Sequence, residues 1–223
     1  MEKTSVVKSL IRVHFTKRNT GMGFVVEDGS GTRYVITAAH CVRHHCRYLA
    51  RGAGNTDLLV GVSSFCSSAA PLLMACAVSW EPCADIAVLG LETLSGAISP
   101  DWQALNEFLE AHTPAPVRLD VGSIGRKRFR VRVCQHTGEW ISGIADGAWV
   151  YGKTPSIIGV RVPKSQPILG GTSGSPVFDD AGRVIGVIST TPELDGKPTG
   201  EALLSCLAGA LPGWMLDNLS QGA

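Results

Sequence analysis

Apolar and polar positions alternate in short runs over most of this chain, and turn-forming residues separate the runs. "SLIRVHF" (9–15), "GMGFVVED" (21–28) and "RYVITAA" (33–39) alternate or carry β-branched residues that suit a pleated surface, so they predict strands. "GSG" (29–31) supplies the hairpin turn between the second and third. "DLLVGVSSF" and "DIAVLGL" continue the pattern. It returns in "FRVRV", "WISGIADGAWVY", "SIIGVRVP", "SPVFDD" and "RVIGVIST", with "DDAG" (179–182) turning between the last two. Regular short strands with this punctuation predict an all-β sandwich or barrel.

The middle of the chain has a different period. In "SPDWQALNEFLEAH" (99–112), Ser99 suits an N-cap, Pro100 the first helical position and Asp101 the positive end of the dipole. Trp102, Leu105, Phe108 and Leu109 share one stripe. "LPGWMLDNLSQ" predicts a short C-terminal helix on Trp214, Leu216 and Leu219. The chain thus divides into a β unit over 1–98, a helical linker over 99–116 and a second β unit over 117–223. Each half is long enough for a small barrel, although no internal repeat is visible in residue identities.

Composition narrows the function classes. The chain has 223 residues, 44% of them hydrophobic, which is enough to bury a core. A formal net charge of +1 supplies no global field, so nucleic acid is not an expected partner. No stretch has the length of a membrane-spanning helix, and the first fifteen residues lack a signal-like apolar run. Seven cysteines, an odd number, point to a reducing, cytoplasmic setting with mostly buried thiols. A secreted form with a few disulfides is the competing reading.

"GGTSGSPVF" (170–178) carries the candidate chemistry. Such a stretch is a permissive turn feeding a strand, with Ser173 at its centre. A serine hydroxyl becomes nucleophilic only when a base takes its proton. His40, directly after the apolar strand end in "VITAAHCV", is the candidate base, and Asp85, heading "DIAVLGL", the candidate orienting carboxylate. Asp57 in "GNTDLLV" is the rival carboxylate, and Ser175 is the rival serine. "HCVRHHC" brings Cys41, His44, His45 and Cys46 together, with Cys66, Cys76 and Cys83 as further thiols for a zinc site. Cys41 would, however, lie beside the candidate base, so neither metal nor cofactor is expected. "RKRFRVRV" (126–133) puts Arg126, Arg128, Arg130 and Arg132 on one strand face and Lys127, Phe129, Val131 and Val133 on the other. A solvated barrel face explains this simply. A docking surface for an acidic partner or nucleic acid is the sharper reading.

"TAAHC", "DIAVL" and "GTSGSP", in that order, resemble the three signature blocks of chymotrypsin-like (trypsin-like) serine peptidases. "GMGFVV" also resembles the bacterial heat-shock proteases of that clan and several viral relatives. The likeness spans about 21–191. It implies two perpendicular Greek-key antiparallel β-barrels with a site in the cleft between them. It implies His40 as base, Asp85 as its orienter, Ser173 as nucleophile and an oxyanion hole from the N–H groups of Gly171 and Ser173. A protein or peptide substrate follows from the same likeness.

Some positions depart from the family pattern. Thr172 stands where secreted relatives carry an aspartate that pairs with a new N-terminus, and no cysteine precedes Cys41 to make their disulfide. Pro167 replaces the acidic pocket base of trypsin. Ser189 is expected to bind substrate backbone, with Thr190 and Thr191 shaping the pocket. Ile188 stands where glutamate-preferring relatives carry histidine, so an uncharged residue is expected at the cleavage site. The reading is an intracellular endopeptidase of narrow specificity, and the protease domain of a larger regulatory, defence or viral protein fits it, with a regulatory protein partner. The alternative is a silent binding module on the same fold.

Overall fold

The computed structural model describes residues 7–14, 19–42, 59–67, 70–93, 95–119, 128–151, 154–190, 193–194, 197–198 and 201–220. Asp57, His44, His45, Cys46, Arg126, Lys127 and Thr191 fall outside them. Two closed antiparallel barrels account for most of the strands. The first contains β1 (Leu10–His14), β2 (Thr20–Glu27), β3 (Arg33–Thr37), β4 (Leu59–Ser64), β5 (Leu73–Glu81) and β6 (Ile86–Gly90). The second contains β7 (Phe129–Cys134), β8 (Trp140–Tyr151), β9 (Thr154–Arg161), β10 (Pro176–Phe178), β11 (Val184–Thr190) and β14 (Glu201–Cys206). A small β12 (Glu193–Leu194) and β13 (Lys197–Pro198) pair stands apart.

Strand order is β1-β2-β3-β6-β5-β4 in one barrel and β7-β8-β9-β14-β11-β10 in the other, each closing on its first strand. The halves therefore repeat the same connectivity, although their residues do not. Closure leaves no open sheet edge in either.

Burial explains the strand sequences. In β2, Val25 packs inside the first barrel with Ile11 and Val35. Met22, Phe24 and Val26 pack on the other face, in a cluster that includes Phe178, Val184 and Val187 of the second barrel. β2 is thus buried on both faces, which is why "GMGFVV" reads as a continuous apolar run. In β7 the alternation is plain: Val131 and Val133 are buried while Arg130 is exposed.

Two strands depart from sequence expectation. β5 ("LMACAVSWE") and β14 ("EALLSC") are rich in helix formers. They become strands because partners flank them, with Leu59 opposite Cys76 and Ala202 opposite Val160.

The linker helix α1 (Trp102–Glu110) is shorter than its sequence suggests. The Ser99 hydroxyl accepts the Asp101 N–H at 3.0 Å, as a cap would, and it also donates to the Met74 carbonyl at 2.5 Å, while Met74 N–H donates to Asp101 Oδ2 at 2.8 Å. Both side chains tether the helix entrance to β5. Leu105 and Leu109 bury in the first barrel, but Trp102 is 47% exposed and leaves the expected stripe. At the other end, Arg33 Nη1 donates to the carbonyls of Leu109, Glu110 and His112 at 3.0, 2.8 and 3.1 Å. A cation at a helix C-terminus satisfies orphan carbonyls and opposes the dipole. After β14 come α2 (Leu207–Ala210) and α3 (Gly213–Ser220). Met215 and Leu219 of α3 pack into the inter-barrel cluster, and Trp214 meets Tyr34 edge-on at 5.7 Å.

Phe24 is fully buried where the barrels meet. Phe24→Ala should lower unfolding free energy by about 3–5 kcal/mol in urea titration, and Trp102→Ala by under ~1 kcal/mol.

Candidate active site

β3 ends at Thr37 rather than running to Ala39, and Ala39–Cys41 closes into a single 3₁₀ turn. That turn swings His40 off the sheet toward the loop before β6. Its backbone N–H donates to Asp85 Oδ1 at 2.8 Å, and its Nδ1 lies 2.8 Å from Asp85 Oδ2. Both hydrogen bonds fix the ring's direction through the backbone and Nδ1. The imidazole keeps 35% of its surface and Asp85 19%.

Asp85 is held from both barrels. Ser189 Oγ of β11 donates to its Oδ2 at 2.5 Å, and Ser205 Oγ of β14 donates to its backbone carbonyl at 3.4 Å. Its own backbone sits at φ 52°, the only left-handed non-glycine conformation among the described residues. Such a conformation costs free energy and persists only where surroundings fix it. The Asp85 hydrogen bond raises the His40 pKa above its ordinary 6.5, the neighbouring Cys41 adds to this, and partial burial opposes it.

Ser173 lies on a tight loop whose geometry depends on glycine. Gly171 and Gly174 take φ 88° and 82°. A Cβ at Gly174 would stand 2.0 Å from the Met22 carbonyl and 2.4 Å from Thr37 Oγ1. Gly21 matters for the same reason, since a Cβ there would meet Cys41 Sγ at 2.6 Å and the Ser173 carbonyl at 2.9 Å. The loop is pinned to the first barrel by Met22 N–H on the Ser173 carbonyl at 2.7 Å. It is pinned to the second by Gly174 N–H on the Ile188 carbonyl at 2.7 Å and Ile188 N–H on the Ser175 carbonyl at 2.9 Å. Thr172 N–H donates to the Leu169 carbonyl at 3.2 Å. Among the described residues, the N–H groups of Gly171 and Ser173 donate to no acceptor within the protein.

The end of β7 clamps this loop from below. Ser175 Oγ donates to the Cys134 carbonyl at 2.5 Å, Leu169 N–H donates to Gln135 Oε1 at 2.9 Å, and His136 N–H donates to Thr172 Oγ1 at 3.4 Å. The rival Ser175 is therefore a buried structural hydroxyl. Ser173 Oγ rests on the Ser189 carbonyl at 3.3 Å, and no hydrogen bond joins it to His40. Ser189 thus touches both halves of the constellation. Ile188 points into the second barrel's core rather than toward the cleft, and Pro167 is partly exposed on the loop approaching Gly170. Thr190 closes β11 opposite Leu203.

Sequence reasoning missed Thr37, Gln135, Ser205 and Gly174 as parts of this scaffold. A threonine or glutamine inside an apolar run was the available signal for the first two, because a buried polar group needs a partner. Six described cysteines are free thiols, and burial pushes Cys134 and Cys206 up to about 11. No cluster of three or more His, Cys, Asp or Glu side chains suited to a metal occurs among the described residues.

Residues 21–187 match the family model for a trypsin-like peptidase domain. The chain belongs to the trypsin-like peptidase family. Among solved structures, the Rv3671c protease in its inactive form is 19% identical to this peptidase-family chain, over 99% of this chain and 92% of that one, with a TM-score of 0.55. A serine-to-alanine variant of Rv3671c from M. tuberculosis H37Rv, also an inactive form, is 18% identical over 97% and 89%, with a TM-score of 0.53. Deg5 is 16% identical over 92% and 86%, with a TM-score of 0.56. At these identities the likeness is one of fold. No curated protein sequence matches significantly.

Gly174→Ala meets both a left-handed backbone and a backbone clash. It should cost at least ~2 kcal/mol in denaturant titration. Gly31→Ala, with φ 84° but open space around it, should cost about 1 kcal/mol.

Proposed function

We propose that this chain is a serine endopeptidase working through His40, Asp85 and Ser173. The observation that carries the reading is the doubly bonded His40–Asp85 pair beside a loop whose Gly171 and Ser173 N–H groups donate to no acceptor among the described residues. His40 Nε2 takes the Ser173 proton as Oγ attacks a peptide carbonyl carbon. Negative charge gathers on the carbonyl oxygen, where the N–H groups of Gly171 and Ser173 receive it. Collapse expels the amine, which takes the proton from His40 and leaves an acyl-enzyme. Water then gives a proton to His40, its oxygen attacks the ester, and Ser173 recovers its hydrogen.

The resting hydroxyl must first leave the Ser189 carbonyl and rotate toward His40. Rotation about one side-chain bond is a small rearrangement, and catalytic contacts are often long before substrate binds. That same resting contact favours the second reading, a peptidase-fold domain that binds without cutting. Ser189 and Thr190, on the strand beside Ser173, are proposed to line the substrate path. Free thiols among the described cysteines fit a proposed cytoplasmic location. No helix among the described residues is long and apolar enough to cross a membrane.

A fluorophosphonate should add once to the wild-type chain, detected by intact mass, and not to Ser173→Ala. His40→Ala should label at least ~10³-fold more slowly. No adduct on a folded wild type would favour the binding module.

The labelling rate should follow the neutral fraction of His40. Because Asp85 raises that pKa, the rate should climb with pH through a midpoint above 6.5. Asp85→Asn should bring the midpoint down toward 6.5 and lower the plateau. A midpoint unchanged by that substitution would remove Asp85 from the mechanism.

A further inference from the structure

The outer face of the second barrel carries a groove of about 650 Å³ that shares no residue with the site above. β7 and β8 pair in register, placing Arg130 opposite Ile144 and Arg132 opposite Ser142. β9 adds Arg161, also opposite Ile144. Arg128 completes a set of four guanidinium groups around this wall. Ile144, 46% exposed, sits in their midst, and Val162 and Pro163 continue the apolar floor. β8 can approach the Arg161–Val162 backbone only because residue 143 is glycine: a Cβ there would lie 2.7 Å from the Arg161 carbonyl.

The arginines are partly oriented in advance. Asp146 pairs with Arg128 at 3.1 Å and with Arg161. Arg132 lies over the Trp140 ring at 4.9 Å. Arg130 is exposed and has no acidic partner among the described residues. Asp146 and the lining Asp180 offset two of the four positive charges, so a positive excess is concentrated here on a chain of net charge +1.

We propose that this groove docks an extended acidic segment of a protein, in which carboxylates alternate with aliphatic side chains. Guanidinium groups two residues apart on β7 recur at about the 6–7 Å repeat that separates same-face side chains of an extended peptide. Their planar forks suit carboxylates, and Ile144 offers an aliphatic side chain a place to bury. The floor argues against single-stranded nucleic acid, which wants open aromatic faces for its bases. Here Trp140 is already covered by Arg132. The surface is tied to the nucleophile loop through β7, whose far end holds Ser175 and Leu169. A segment bound here would thus tether its protein to the barrel that carries the Ser173 loop.

The test uses the full chain as Ser173→Ala, so that no probe is consumed. The probes are a labelled peptide of alternating Glu and Val, its Gln-for-Glu counterpart, and an oligo-dT strand of similar length, read by fluorescence anisotropy. The Glu peptide should bind and weaken between about 50 and 200 mM salt. Arg130→Gln combined with Arg161→Gln should weaken it about tenfold or more, as should Ile144→Glu. Arg12→Gln, on the first barrel, should change nothing. The Gln peptide and oligo-dT should bind far more weakly. Failure of the Glu peptide to bind, binding indifferent to these substitutions, or tighter binding of oligo-dT would each overturn the proposal. Fluorophosphonate labelling of Arg130→Gln with Ser173 intact should match wild type, so the docking and catalytic proposals fail separately.

Discussion

Asp85 is the point on which the site depends. Its carboxylate receives the His40 backbone and ring from the first barrel and the Ser189 hydroxyl from the second, while Ser205 holds its carbonyl. These contacts keep a left-handed aspartate in place, where an ordinary turn would relax it. Remove the second barrel and Asp85 loses half of its partners. The placement of the carboxylate that orients the histidine is therefore a property of the assembled pair of barrels.

The same dependence recurs in the backbone. Met22 of β2 gives its N–H to the Ser173 carbonyl and its own carbonyl to the Thr37 hydroxyl. Neither contact tolerates added atoms, as Gly21 and Gly174 show. Around them lies an apolar seam in which Met22 and Phe24 face Phe178 and Val187, with α3 packed against its edge. Hydrophobic burial brings the barrels together, and directional hydrogen bonds set their relation near the site. The apolar contacts supply most of the free energy. The polar ones supply the position, since each would leave a buried group unsatisfied if the fit slipped.

Much of this was legible in the residues. Apolar patterning and turn signals found β1 to β4 and β6 to β11, because one face of each is wet or its ends are marked by glycine, serine or aspartate. β5 and β14 escaped because Ala, Leu, Met and Glu carry helical preference, and only neighbours on both sides override it. Ser99 was legible only in part: its bond from the Asp101 N–H is local, but its bond to the Met74 carbonyl reaches a residue distant in sequence. His40, Asp85 and Ser173 stood out through their local motifs, and the fold brings their segments together. The bond from Ser189 to Asp85 joins residues far apart in the chain, and no local pattern encodes it. Ser205 and Gln135 were silent for the same reason.

Synthesis runs from the N-terminus, so His40 and Asp85 leave the ribosome well before Ser173, Ser189 and Ser205. A half-made chain holds His40 and Asp85 with no second barrel to steady the carboxylate. The loop at Gly174 cannot dock until β11 has formed beside it. The Asp85 carboxylate and carbonyl thus gain their second-barrel partners only once β11 and β14 have been made.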